Sequence, residues 1–165
     1  MEIANTIQKM IEFSNGNLHD INHFLKVYTY AKTIGELEQL SKKEQFTLEL
    51  ASILHDVACP MCREKYGNTN GKMQEKEGEP LARKILLELN FEKDIIDRVC
   101  YLVAHHHTYT NVDRKDYQIL LEADYIVNAD ENNYSLESII CAKEKIFKTK
   151  VGLELLQSIY QLSSK

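Results

Sequence analysis

An all-α fold, a single helical bundle of about six to eight helices, is what this sequence predicts, and two observations carry that expectation. Nearly every long segment repeats its apolar residues at three-and-four spacing, and only two prolines and six glycines interrupt 165 residues. A chain of this length buries roughly 68–70% of the surface its unfolded form exposes, so one core suffices. With neither an internal repeat nor a linker, residues 1–165 read as one domain.

The first helix is expected over residues 3–13, ending at Ser14-Asn15-Gly16-Asn17, and the second from about 19 to 40, ended near Ser41. The third is the clearest. From 43 to about 57 the apolar positions Phe46, Leu50, Ile53, Leu54 and Val57 form a stripe, and Pro60 stops the helix. Residues 58–71, with Pro60, Gly67, Asn68, Asn70 and Gly71, read as a long loop of a kind that is often functional. Helices follow over 73–89, with a break around Gly78-Glu79-Pro80, and over 92–105, leading into His105-His106-His107. Asp113 is the expected N-cap of a helix reaching Ala129, Ser135 opens another, and residues 151–162 close the chain.

Composition narrows the function classes. Hydrophobic residues at 44% and charged residues at 27% are the balance of a soluble globular protein. The net charge of -5 lacks the basic field of a non-specific nucleic-acid binder, so no polymeric nucleic acid partner is expected. No apolar run approaches the roughly 18 residues of a membrane span. Met1-Glu2-Ile3-Ala4 has neither part of a signal peptide, and a cytoplasmic location with no membrane partner is expected. Cys59, Cys62, Cys100 and Cys141 are then expected as reduced thiols.

The most informative dipeptide is His55-Asp56, at the end of the clearest apolar helix, where an imidazole and a carboxylate can turn toward one point and offer the donors a divalent metal accepts. The alternative is a solvated pair at a helix end. His23 lies inside a helix long enough to run antiparallel beside the third. Asp124 interrupts the apolar run Leu120-Leu121-Glu122-Ala123-Asp124-Tyr125-Ile126-Val127, where a lone carboxylate is costly to bury unless paired or metal-bound. A salt-bridged or partly exposed carboxylate is the alternative there.

Taken in order, a helix opening with His23 and continuing to Val27 and Tyr30-Ala31, an apolar helix ending Leu54-His55-Asp56, a histidine cluster after a helix, and Ala123-Asp124 in a late apolar helix, the chain resembles the HD-domain superfamily of metal-dependent phosphohydrolases. The resemblance spans roughly residues 22–128, with 1–21 and 135–165 as flanking helices of the same domain. It implies that His23, His55, Asp56 and Asp124 bind one divalent cation, Mn, Fe, Co, Zn or Mg, in the bundle centre. It also implies hydrolysis of a small-molecule phosphate ester, a nucleotide foremost, by attack of metal-bound hydroxide, with water activation at neutral pH supplied by the ion. Asp56, His105 and His106 are the catalytic candidates, with His107 ranked behind them.

One departure bears on mechanism: where many dinuclear members carry a ligand histidine four residues before a glycine, this chain has Gln74 before Gly78. A single-ion centre is therefore favoured over two ions, although Glu75 offers a carboxylate nearby. Lys26, one turn after His23, Arg83 and Gln74 are the substrate-binding candidates, the cations for a phosphate. Tyr28, Tyr30 and Tyr66 are candidates for lining a nucleobase pocket. Cys59 and Cys62 have C-x-x-C spacing without a second pair to complete a zinc site, and suggest a loop at the active-site mouth, with Arg63 and Lys65 drawing in an anion. The rival functions are a diiron HD-domain oxygenase and a non-catalytic metal- or nucleotide-binding regulatory module. A homodimer through Leu153, Leu155, Leu156, Ile159 and Leu162 is the remaining partner expectation, set against packing of that face within one chain.

Overall fold

Short-range signals start and stop most of the helices in the computed structural model, which describes residues 1–162, so the last three positions of the flanking segment 135–165 lie outside the described residues. Helix α1 (Glu2–Phe13) ends where Asn15 and Gly16 take left-handed backbone at φ 47 and 76. The Asn17 side chain then accepts the Asp20 N–H and opens α2 (Leu18–Leu37). Ser41 and Glu44 exchange side-chain and backbone hydrogen bonds in a capping box that opens α3 (Lys42–Leu54).

Beyond α3 the structure departs from expectation. The helix stops at Leu54, and His55 is its C-cap. Residues 58–71, expected as loop, contain α4 (Cys59–Tyr66). Pro60, read as a stop, sits in the first turn of that helix, where its missing N–H has no helical partner to lose. Gly67, at φ 70, ends it. Helix α5 (Gly71–Glu88), capped by Asn70, runs through Gly78 and Pro80 without the expected break. Its packing along α6 (Lys93–Val103) holds it, and Gly78 permits the approach, since a Cβ there would come 3.0 Å from Val103 Cγ1.

Asp113, the expected N-cap of the next helix, is instead held by the Arg98 guanidinium at 2.7 and 2.9 Å, and Arg114 occupies the cap of α7 (Lys115–Glu131). Ser135 caps α8 (Leu136–Lys145) and Thr149 caps α9 (Lys150–Ile159). Among the described residues there are thus nine helices and no strand, α4 being the addition to the expected set.

Helix α3 packs against α1, α2, α6 and α7, and every residue from Thr47 to Leu54 is buried. The expected stripe is therefore covered on all sides, while Phe46 stays half-buried beside Phe91. Helix α7 is enclosed in the same way from Ile119 to Val127, each large apolar side chain contributing roughly 1.5–3 kcal/mol. Two covered helices lying side by side bring the end of α3 and the middle of α7 to one interior point. On α9 Leu156 is buried and Leu153 and Leu155 pack onto the core, as does Leu162 just beyond the helix, so most of the face considered for a dimer is used within the chain. Among the described residues no helix is long and apolar enough to cross a membrane.

Candidate metal centre

On α2, His19, His23 and Lys26 follow one another by four and three residues, and on α7 Asp124, Asn128 and Glu131 do the same, so each set lies along one helix face. These faces meet where α2 packs on α7, and the turn after α3 adds His55 and Asp56. His23 Nε2 lies 3.1 Å from His55 Nε2, 3.2 Å from Asp124 Oδ1 and 3.5 Å from Asp56 Oδ2. His55 Nε2 lies 3.5 Å from Asp124 Oδ1 and 3.7 Å from Asp56 Oδ2.

The far nitrogens decide what these near ones are. His23 Nδ1 donates to Glu131 Oε2 at 2.7 Å, and His55 Nδ1 donates to the Ser52 carbonyl at 2.8 Å. That assignment leaves both Nε2 atoms with a lone pair toward two carboxylate oxygens, four acceptors around one point, which a cation relieves. Two imidazoles and two carboxylates are a donor set suited to a borderline or hard divalent ion. Asn128 Nδ2 donates to Asp124 Oδ1 at 2.8 Å and steadies the helix-borne ligand.

Without an ion, a proton takes the cation's place on His23 Nε2. Burial works against a charged His23, but Asp124, Asp56 and Glu131 outweigh it and raise its pKa to about 10. Burial likewise opposes ionised Asp56, yet His55, His106 and His23 hold its carboxyl well below the usual range. Asp124 is lowered in the same sense by His23 and His55, against its own burial.

Next to this group lies a second one. His106 Nδ1 donates to the Val103 carbonyl at 2.7 Å and turns Nε2 to 3.3 Å from Asp56 Oδ1. Asp56, His106 and His107 together could hold a further ion. His106 Nε2, His107 Nε2 and Gln74 Oε1 are all buried without a hydrogen-bond partner, the Gln74 amide being fixed by donation from Nε2 to the Thr69 carbonyl at 2.7 Å. The His107 ring is pressed against Gly71, where a Cβ would fall 2.8 Å from it. Burial and His106 lower the His107 pKa to about 4, which keeps it neutral.

Three expected site residues lie elsewhere. His105 donates from Nδ1 to the Tyr101 carbonyl at 2.7 Å and stacks on the Tyr101 ring at 4.3 Å, because α6 ends at Val103 and the following turn directs His106 and His107 inward in its place. Lys26 binds Glu131 at 3.0 Å and Asp130 at 3.8 Å and lines a separate cavity with Tyr30 and Tyr160, so carboxylates on α7 have claimed it. Arg83 is tied to Glu79 at 2.8 Å and Asp97 at 2.9 Å across α5 and α6.

Gln74 does line the cavity beside the centre, which measures about 230 Å³ and also meets His23, Asp56, Cys59, Arg63 and His107. Arg63 pairs there with Asp20. Glu75 does not reach the centre with a free carboxylate, since Oε1 accepts from His107 N–H at 3.0 Å and the Thr108 hydroxyl at 2.9 Å. Tyr28 and Tyr66 are engaged by Glu49 and Glu77. Cys59 and Cys62 are free and buried, and burial pushes both thiols up.

Reading the sequence missed Glu131 and Asn128 and ranked His107 too low. For the first two the signal was present: polar residues four and seven positions after Asp124, on the same face of its helix.

The HD domain family profile matches residues 20–143. A crystal structure described as a predicted HD superfamily hydrolase from an uncultured Thermotogales bacterium superposes with a TM-score of 0.65. The match covers 97% of this chain and 84% of that one at 20% identity, and it shows the shared fold. No curated protein sequence matches the chain.

Proposed function

The chain belongs to the HD domain family, and on that premise we propose that it is a metal-dependent phosphohydrolase acting on a phosphate ester of a small molecule. The observation that carries the reading is the convergence of His23 Nε2, His55 Nε2 and Asp124 Oδ1 within 3.1 to 3.5 Å of one another, with Asp56 Oδ2 beside them. When bound, a divalent ion supplies a Lewis acid for a phosphoryl oxygen and lowers the pKa of a coordinated water toward ~7. Asp56 faces both this group and His106, so its carboxylate can orient a water at the cavity floor. His106, fixed through the Val103 carbonyl, is the imidazole that moves a proton there.

One ion is the simplest occupancy. Asp56 and Asp124 balance its charge, whereas a second ion would have to share Asp56, because His106, His107 and Gln74 bring no carboxylate. The unpartnered atoms of those three residues favour two ions as the second reading, and metal content with an absorption spectrum separates a single-ion hydrolase from a diiron oxygenase. A nucleotide is one member of the proposed substrate class. Cytoplasmic action without a polymeric nucleic acid or membrane partner completes the proposal.

The deciding experiment is phosphate release from a panel of phosphate esters, nucleotides included, with each divalent metal, for the wild type and Asp56→Ala. Metal-dependent release that the substitution abolishes supports the reading. Absence of release with metal demonstrably bound removes it in favour of a regulatory module.

A further inference from the structure

The cavity over the metal centre is small and polar throughout. Its volume of about 230 Å³ equals roughly eight water-sized volumes, and small-molecule sites commonly run from about 300 to 1,000 Å³ with predominantly apolar walls. Among the described residues its lining comprises imidazoles, carboxylates, amides, one guanidinium, the Thr69 hydroxyl and the Cys59 thiol. Neither a phenyl or phenol ring nor a branched aliphatic side chain is among them.

A nucleobase is held chiefly by stacking and apolar contact, worth about 1–3 kcal/mol per base where an aromatic platform exists. No tyrosine, phenylalanine or tryptophan platform lines this cavity, whose rings among the described residues are the imidazoles of His19, His23 and His107. The tyrosines considered for that task are turned elsewhere, Tyr28 to Glu49, Tyr66 to Glu77, and Tyr30 to the cavity around Lys26. The walls instead offer hydrogen bonds. The rim carries Arg63, which gives one N–H group to Asp20 and keeps others, together with Thr69 and Asn132. Once a phosphate occupies the metal end, the space left accepts a few carbon atoms, and walls of this kind match hydroxyl groups on them.

We infer that the substrate is a small, hydroxyl-bearing phosphomonoester of the glycerol phosphate or short sugar phosphate type, and that the cavity disfavours nucleotides. This rests on the hydrolase reading above. A site whose polar groups pair with substrate hydroxyls discriminates against the analogue lacking them, because those groups are then left without partners.

The test compares kcat/KM of the metal-loaded protein for glycerol 3-phosphate, 1-propyl phosphate, adenosine 5′-monophosphate and an aryl phosphate, in the wild type and in Asn132→Leu. Glycerol 3-phosphate is expected to exceed both 1-propyl phosphate and the nucleotide by about tenfold or more, with the first ratio moving toward unity in Asn132→Leu, whose site is exposed and tolerant of change. Equal turnover of glycerol and propyl phosphates, or preference for the nucleotide, overturns the inference while the hydrolase reading stands. Hydrolysis of none of the four with metal bound overturns both.

Discussion

Glu131 Oε2 accepts the Nδ1 hydrogen of His23 at 2.7 Å, and its other oxygen holds Lys26 at 3.0 Å, so one carboxylate on α7 fixes both the ring orientation and the tautomer of a candidate metal ligand on α2. Outer-shell partners of this kind typically change metal affinity by about 10–100-fold when removed. Glu131→Ala is expected to weaken binding of a divalent ion by that amount in calorimetric titration, and Glu131→Gln, which still accepts through its amide oxygen, by less. Unchanged affinity in Glu131→Ala would show that the contact does not hold His23 in place.

Protons and metal compete for His23. Its pKa in the metal-free protein is raised to about 10, so at neutral pH an ion must displace a proton. The sign follows directly. The stability that charged His23 gives the metal-free protein is complete below its ordinary value near 6.5 and is lost as pH rises through about 10. Asp56 and Asp124, whose carboxyls are depressed, contribute above their ordinary range and lose that contribution as pH falls. Metal affinity is therefore expected to rise by about tenfold per pH unit between pH 6.5 and 8, with about one proton released per ion. Calorimetry in buffers of different ionisation enthalpy reads the proton count, and a pH-independent affinity would contradict the assignment.

The histidine triplet makes a prediction by contrast. His106 faces Asp56 at 3.3 Å, whereas His105 stacks on Tyr101. His106→Ala is expected to reduce metal-dependent phosphate release by about 100-fold or more, in the range of a lost acid–base group, while His105→Ala stays within about threefold of wild type. Reversal of that order would mean that the inward-facing imidazole had been misassigned.

What the sequence shows of this centre, and what it does not, has a physical pattern. His55, Asp56 and Asp124 draw notice because each is a polar group in or at the end of an apolar run, and it is the family resemblance that joins them with His23. The order of the triplet is not legible in the same way, since α6 ends at Val103 and periodicity says nothing about the turn beyond it. Lys26 is correctly placed on the face of His23, but spacing along one helix cannot reveal that Glu131 on another will bind it. Arg83 fails for the same reason, through Asp97 on α6. The helix within residues 58–71 was hidden because a proline reads alike as a stop and as a first-turn residue, and only the chain on either side distinguishes the two.

Gly71 is expected to be sensitive although it carries no side chain. A Cβ at this position would meet the His107 ring at 2.8 and 2.9 Å, closer than real contacts allow, so the ring has to shift relative to the cavity it lines. Gly71→Ala should therefore displace His107 and lower phosphate release by about tenfold, a 1 Å misplacement at such a site being able to cost up to ~100-fold. Binding at His23, His55 and Asp124, which it does not touch, should persist. Loss of metal stoichiometry together with activity would point to collapse of the whole centre.

Glu122 lies two residues before Asp124 and serves the fold. Its carboxylate is fully buried and accepts the N–H groups of Lys148 at 2.7 Å and Thr149 at 2.9 Å, the Gln118 amide at 2.8 Å and the Thr149 hydroxyl, which ties the connection between α8 and α9 to the middle of α7. Gly152 leaves the space for it, as a Cβ there would overlap the carboxylate. Removing the acceptor strands the buried Thr149 N–H and the half-buried Lys148 N–H, at about 1–3 kcal/mol for a buried donor, so Glu122→Ala is expected to lose about 3 kcal/mol and lower Tm by roughly 6–12 °C. Since α9 packs on α7 and α2, loosening it also frees the helices that carry Asp124 and His23. Added divalent metal should accordingly recover part of the lost Tm, because an ion that binds only the folded state stabilises it by mass action. A variant whose Tm falls without any recovery on adding metal would show that loss of the α9 anchor also destroys binding at the centre.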